Sequence, residues 1–465
     1  MAKFQLLSSI DIQHDTLAVF DDVAQAVFEQ EDFWVSCYKE GQTSVHGKVR
    51  LRKTGEGLQG VSLQARDGVR IERKSHRTFE VAAESLQLES TLVRFPRNTV
   101  NTPANEDSKA PLDLNVIDVS PNGNHIVYGG PDGYCYVQDS TEPSSSAPKN
   151  KPVKLKGHVG DVLDVKWFPS GEVVLTASSD ATIRIFSATT GINPRSLTGH
   201  KRAVTTTAIL GVGRNILSGS KDGSIKLWDV GAGKCVSTMH TKGFSGVETI
   251  AVGEGASALR ESIRRQSGLG DGNNSSFLAE EDFVPRTLAG ELQEDTADKL
   301  VFTGLSSSNG LLAVFDLASK KTVIETFPHI PPSASVPEDR RGGAIHAIAY
   351  DPESHLLASA SAKGVVVVRD LSTMSADGES KSMRIFSRNQ AIINDLAFVK
   401  TRNGVDLIVT PASGLPFRAS MLESDSVKVV EEYAGWEAVP VNSVAVGAGE
   451  GNIWVAGGEG GIRQY

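Results

Sequence analysis

Cysteine is scarce: Cys37, Cys135 and Cys235 stand far apart in a chain of 465 residues. Neither a disulfide framework nor a zinc pattern can be built from them, so a reducing compartment is expected, cytosol or nucleus. Long apolar runs are missing too. No stretch approaches the roughly 18 consecutive apolar residues of a spanning helix, which excludes an integral helical membrane protein. The opening residues lack the apolar run and small-residue cleavage site of a secretory signal. The ten His residues form no ligand-spaced pair, and no Gly-Lys-Ser/Thr follows a Gly-rich loop. No catalytic, cofactor-binding or metal-binding residues are therefore assigned, and no cofactor is expected. Basic charge is in deficit, 47 Lys and Arg against 56 Asp and Glu, a net −9. That argues against a nucleic-acid backbone as partner and favours basic protein surfaces. One local exception, Lys48–Arg77, reads best as a solvated strand face. With 39% hydrophobic and 22% charged residues, the chain can still build a packed core.

What is present is a repeat. Lys156-Gly157-His158 and Thr198-Gly199-His200 are 42 residues apart. Twenty-two residues after each His stands an Asp, Asp180 or Asp222. Six further on stand Phe186 and Trp228, the latter followed by Asp229. A Gly-His opening and a Trp-Asp close at roughly 40–45 residues form the WD-repeat signature, one four-stranded propeller blade per unit. Alternation such as Ser224-Ile225-Lys226-Leu227-Trp228 reads as strand.

Degenerate copies keep a turn seven residues before the closing position. Asp132-Gly133 precedes Asp139, Asn309-Gly310 precedes Asp316, Lys363-Gly364 precedes Asp370, and Ser413-Gly414 precedes Ser420. Glu459-Gly460 opens the same turn in the last copy. Seven units follow, near 113–139, 157–187, 199–229, 244–316, 344–370, 391–420 and 440–465. In the innermost strands the first position (Leu114, Val162, Val204, Val247, Ile345, Ile393, Val441) and the fourth (Ile117, Val165, Thr207, Ile250, Ile348, Leu396, Val444) are almost wholly apolar. A regular strand sends those positions to opposite faces, so each inner strand is expected to carry a β-bulge. The polar second position (Asn115, Thr205, Glu248, His346, Asn394, Asn442, with Leu163 the exception) is expected at the central channel or its rim.

The expected fold is all-β: a small β-rich N-terminal domain, 1–85, and a seven-bladed WD-repeat propeller, 86–465. The last unit stops at its third strand, so the alternating run in 86–95 is expected to supply the closing strand. Residues 97–103 and the Ser/Pro-biased 140–153 read as linkers. The acid-rich insert 253–298 is expected as a loop, with a short helix near 258–265.

His200, Ser218, Asp222 and Trp228 combine the residue types of a hydrolase triad. Their spacing within one blade favours a structural chain of hydrogen bonds from indole through hydroxyl and imidazole to carboxylate. A channel hydrolase using His346 or Asp395 is the weakest reading. Partner contacts are assigned to the rim shared by the loops leading into the inner strands. There Asp161, Asp164, Glu248, Asp395 and Glu437 would steer a basic surface, and an exposed Trp436 would anchor it.

The runs Phe168-Pro169-Ser170-Gly171, Asn193–His200 and Gly213–Gly223, running on to Gly231, resemble the proteasomal ATPase-associated factor family, WD-repeat proteins. Its yeast counterpart is an assembly chaperone of the proteasome regulatory-particle base. The close resemblance covers about 157–233, and Gly213-Arg214-Asn215 carries most of its specificity. The resemblance implies a non-catalytic binding protein, monomeric when unbound, in cytoplasm and nucleus. Its partner would be the C-terminal domain of one regulatory-particle ATPase (regulatory subunit 8 type), released before the holoenzyme is complete. Neither nucleic acid nor membrane is an expected partner. The alternative is a substrate receptor or scaffold of a ubiquitin ligase or signalling complex.

Overall fold

The computed structural model describes residues 3–57, 60–103, 112–140, 151–254, 259, 295–374, 380–422, 426–436, 439–449 and 452–465. Most of the 140–153 segment and of the 253–298 insert, including all but Leu259 of the expected helix near 258–265, lies outside them. Among the described residues, seven antiparallel four-stranded units form the blades of a β-propeller. Their inner strands touch in sequence order, and the seventh meets the first to close the ring. Those strands are Val116–Val119, Val162–Trp167, Val204–Leu210, Val247–Glu254, Ile345–Asp351, Ile393–Thr401 and Val441–Val446. The turn glycines Gly133, Gly223, Gly310, Gly364, Gly414 and Gly460 all have positive φ, between +62° and +84°. That backbone is what the Asp-Gly and Asn-Gly pairs permit.

The bulges are where the apolar pattern demands them. Register slips by one residue between the first and third positions of six inner strands: Val162/Asp164, Val204/Thr206, Val247/Thr249, Ile345/Ala347, Ile393/Asp395 and Val441/Ser443. The described inner strand of the first blade begins only at Val116, beyond that point. First and fourth positions are buried in all seven units.

The inner strand is the edge of its blade's sheet, so the backbone groups it turns away from the second strand must be bonded elsewhere. The third position of one blade serves the fourth-position N–H of the next. Asp164 Oδ2 accepts from Thr207 N at 2.5 Å, Thr206 Oγ1 from Ile250 N at 3.3 Å, Asp395 Oδ2 from Val444 N at 2.9 Å, and Ser443 Oγ from Ile117 N at 3.3 Å. Between the first and second blades the bond lies two positions further along, where Asp118 Oδ2 accepts from Trp167 N at 2.7 Å. The second position serves the first-position carbonyl. Asn115 donates to Val162 O, Thr205 to Val247 O, Asn394 to Val441 O and Asn442 to Leu114 O, at 2.8 to 3.1 Å. The polar ring placed at the channel thus bonds across blade boundaries as well.

The closing strand corrects the sequence expectation. Asn98–Asn101, within the stretch read as a linker, pairs with Gly461–Gln464 and completes the seventh blade. The run at 86–95 forms instead the strand Leu88–Arg94, which pairs in parallel with Lys428–Tyr433, the outer strand of the sixth blade. Thr78–Ala83 and Arg70–Ser75 extend that sheet to seven strands. Both runs alternate, and alternation alone does not choose between two adjacent edges. Near the start of the chain, Phe4–Leu6 covers the outer edge of the fifth blade, pairing in parallel with Met383–Ser387.

Between these straps, Ser9–Ile12, Gln30–Tyr38, Val45–Lys53 and Val61–Ala65 form a separate sheet. The helix α1, Thr16–Ala24, turns Thr16, Val19, Phe20, Val23 and Ala24 inward, the i, i+3, i+4, i+7, i+8 stripe of an amphipathic helix. It joins a core with Phe33, Val35, Val49, Leu51, Phe79 and Val93.

Asp164→Ala deprives the Thr207 N–H and hydroxyl of their shared acceptor while changing little volume. It should destabilise by about 1–3 kcal/mol, measured by equilibrium urea unfolding. A change within error would show that this bond does not hold the second and third blades together.

Candidate partner-binding surface

Two polar chains pin the best-formed blades. In the third, Trp228 Nε1 donates to Ser218 Oγ at 2.8 Å, and Ser218 Oγ lies 2.7 Å from His200 Nε2. His200 Nδ1 lies 3.1 Å from Asp222 Oδ2, which also accepts from Lys201 N at 2.9 Å. One neutral tautomer satisfies every member: the Ser218 hydroxyl donates to Nε2, and Nδ1–H donates to the carboxylate. Burial lowers the His200 pKa, and the bonds from Ser224, Lys201 and His200 outweigh burial to hold Asp222 well below the usual carboxylate range. In the second blade His158 bridges Asp180 and Thr176 at 2.9 and 2.8 Å, and Phe186 offers no indole N–H. The Ser-His-Asp order has the connectivity of a triad, yet Ser218 is fully buried and its oxygen accepts from the Trp228 indole N–H. A nucleophile must reach substrate, and this arrangement does not allow it.

The fifth blade carries a degenerate version. His329 Nε2 donates to Val365 O at 3.1 Å, and Nδ1 lies 3.0 Å from Ser359 Oγ. Arg369, buried nearby, donates to Pro328 O at 3.0 Å and to His329 O. Burial chiefly, and then the Arg369 charge, push the His329 pKa down to about 3.

The rim is built from the loops leading into the inner strands, each bonded to the turn before its blade's third strand. Ser179 N donates to Asp161 O, Lys221 N to Ala203 O, Ser306 N to Gly246 O, and Gly458 N to Pro440 O, at 2.8 to 3.0 Å. Of the six residues assigned there from sequence, Asp161 is exposed on this rim. Asp164 and Asp395 instead hold the neighbouring blades together, as described above. Asp164 chiefly, with Asp118 and Asp395, also raises the pKa of Lys166 and keeps it charged. Glu248 is bound by Lys221 and Ser306, its side chain 10% exposed. Trp436 is a correction: only 4% exposed, it packs in the seventh blade with Tyr433, Val441 and Tyr465. Its ring is covered by the Arg463 guanidinium at 3.9 Å. Gly457 and Gly461 beside it open the space that the indole fills. Glu437 lies outside the described residues.

Other acids take the place of those removed. Asp113, Asp132, Asp161 and Glu459 are exposed along blades seven, one and two. They are linked by Asp132 N to Asp161 Oδ1 at 3.2 Å and Glu459 N to Asp113 Oδ1 at 2.9 Å. In the sequence Asp132 and Glu459 stand out as turn residues, and nothing local marks their charge as shared with Asp113 and Asp161. Across blades three to five Lys201, Arg202, Lys242 and Lys363 are exposed, with Lys242 paired to Glu325 at 2.6 Å and the acids Glu338 and Asp339 exposed before the fifth inner strand. The rim therefore has an acidic arc on one side and a basic cluster at Lys201 and Arg202 on another. On the N-terminal sheet, the basic run Lys48–Arg77 is partly neutralised, Lys48 and Arg50 by Asp32 and Lys74 by Glu72 and Glu80.

Fold and repeats together define a β-propeller that carries WD repeats. The family profile "WD domain, G-beta repeat" matches residues 150–187 and 191–229, the second and third blades. Among curated proteins the chain is similar to the 26S proteasome regulatory subunit RPN14 of Saccharomyces cerevisiae. The two are 42% identical over 99 residues, 21% of this chain and 24% of that protein. It is 28% identical over 118 residues to the eukaryotic translation initiation factor 3 subunit I of Xenopus tropicalis, 25% of this chain and 36% of the relative. It is 40% identical over 90 residues to nuclear distribution protein nudF 1 of Talaromyces marneffei, 18% and 19% of the two chains. The chain thus spans between a fifth and just over a third of the length of these relatives.

Trp228→Ala should cost about 1–3 kcal/mol more than Phe186→Ala beyond the difference in buried area, because it also strands a buried acceptor. Equal losses per area in chemical denaturation would remove the network's contribution. For His329 the folded pKa lies below the unfolded value of 6.5, so its stabilisation is complete above pH 6.5 and is lost as pH falls toward 3. Between pH 7.5 and 5 that amounts to about 2 kcal/mol. His329→Gln should flatten the unfolding free energy over that interval by this amount; an unchanged pH slope would contradict it.

Proposed function

We propose that this protein is a non-catalytic binding protein of the proteasome regulatory particle, acting in cytoplasm and nucleus. Its acidic arc engages a basic face on the C-terminal domain of one ATPase of the base, of the regulatory subunit 8 type, during assembly. The observation that carries the reading is the arc Asp113, Asp132, Asp161 and Glu459, exposed side by side on one rim. It is supported by the similarity of a 99-residue stretch of this chain to a protein described as a 26S proteasome regulatory subunit. A rigid ring of loops presents such charges without ordering cost, and complementary charge speeds encounter and excludes wrong partners. Binding that covers an ATPase surface needed later delays its docking, and release follows once the mature contacts are stronger.

The triple variant Asp113→Asn, Asp132→Asn, Asp161→Asn keeps the backbone-bonding oxygens and removes three charges. Titrated against the isolated ATPase C-terminal domain, it should bind about 10-fold more weakly and with a shallower salt dependence, at unchanged Tm. Equal affinity in the folded variant would remove the arc from the interface. Affinity capture that returns cullin adaptors and no ATPase subunit would put the ligase-receptor reading in its place.

A further inference from the structure

Phe244 sits in the loop that leads into the inner strand of the fourth blade, and it is 67% exposed. Its φ is +52°, in the left-handed region that a bulky side chain enters only at a cost. Gly or Asn would occupy that backbone more cheaply. Within the fold the ring contacts His240, edge-on at 5.2 Å between centroids. Folding alone therefore gives little reason for a phenyl group here.

The loop that carries it is firmly seated. Thr241, 4% exposed, donates from Oγ1 to Ser245 O at 2.6 Å, and Oγ1 also lies 3.1 Å from Gly223 O, clasping the base of the turn. Gly223, in the turn of the third blade, lies directly against Phe244, where an added Cβ would meet its carbonyl oxygen at 2.5 Å. That places Phe244 beside Lys201 and Arg202 in the preceding lead-in loop, and beside Lys221 and Lys242, which are held by Glu248 and by Glu325 respectively. Arg202 Nη1 donates to Lys221 O at 3.3 Å, which fixes the guanidinium over the same turn.

We propose that Phe244 with Lys201 and Arg202 forms a second docking surface, for an acidic segment of a partner protein that carries an apolar side chain. The exposed ring offers an apolar contact, and the surrounding cations select the sign of charge beside it. The surface is distinct from the acidic arc and does not depend on its assignment.

The test uses the full chain and a short fluorescein-labelled peptide of Asp and Glu with one central Leu, followed by anisotropy. The peptide should bind with a salt-dependent affinity. Phe244→Gly should weaken it about 10-fold or more while Tm stays level or rises, because the backbone strain is relieved. Lys201→Glu combined with Arg202→Glu should abolish binding. The triple Asn variant of the acidic arc should bind the peptide as the parent chain does, which separates this proposal from the preceding one. Absence of peptide binding, unchanged affinity in Phe244→Gly, or a fall in its Tm would each overturn the proposal. Equal binding of a Leu→Ser peptide would also overturn it, by reducing the surface to bare charge. Concentration-dependent dimerisation in sedimentation, lost in Phe244→Gly, would assign the patch to a second copy of this chain and overturn it likewise.

Discussion

The hydrogen bonds between neighbouring inner strands are the constraint on which the rest of the molecule depends. A bulge turns two apolar residues per strand to the same side, and the inner strand, as the edge of its sheet, turns a carbonyl and an N–H away from the ladder. Left without partners in the interior, each would cost about 1–3 kcal/mol. The neighbouring blade supplies the partner: a carboxylate or hydroxyl for the N–H, as with Asp164 and Thr207, and an amide or hydroxyl for the carbonyl, as with Asn442 and Leu114. Such bonds are shared between blades, so the satisfaction of one depends on the position of the next. The ring therefore gains from closure, and its side chains are committed to architecture even where their charge suggests recruitment.

Closure is shared with the N-terminal part of the chain. Phe4–Leu6, Leu88–Arg94 and Asn98–Asn101 cover the outer edges of blades five, six and seven in turn. Unpaired edges invite association with other chains, and here three consecutive ones are occupied intramolecularly. Buried ion pairs mark the same seam. Arg388 grips Glu432 with two bonds at 2.7 and 3.0 Å, and Glu432 Oε1 also accepts from Ile10 N at 3.3 Å. Arg94 pairs with the fully buried Glu431 at 2.6 Å, and Arg418 approaches it at 3.2 Å. Breaking a pair of this kind leaves an uncompensated charge in the interior, which resists separation of the two parts.

The rim acquires its character from what the interior leaves over. Acids needed between blades are withdrawn from recognition, and those in turns and lead-in loops remain at the surface. Since consecutive blades contribute their loops in order, a trend in charge along the chain becomes a division around the ring. Acidic turns from the chain's last blade adjoin those of its first and second. The lysines and arginine of blades three to five lie elsewhere around the same rim.

Much of the fold was legible in sequence because a propeller is written locally. Each blade is one repeat, each tight turn needs a glycine such as Gly223, and the burial of first and fourth positions in the inner strands implied the bulge by parity alone. The chain from Trp228 to Asp222 was equally readable, since all its members lie within one blade. Tertiary structure alone decided what depends on contacts between distant segments. Leu88–Arg94 and Asn98–Asn101 were both available as closing strands, and the docking of the N-terminal sheet assigned them to different edges. Trp436 carries no local sign of burial; the space beside Gly457 and Gly461 and the guanidinium of Arg463 place it inside. Asp164 and Asp395 look like surface acids until the next blade presents its N–H. Sequence determines which groups a blade can offer, and the geometry of the closed ring determines which of them remain for a partner.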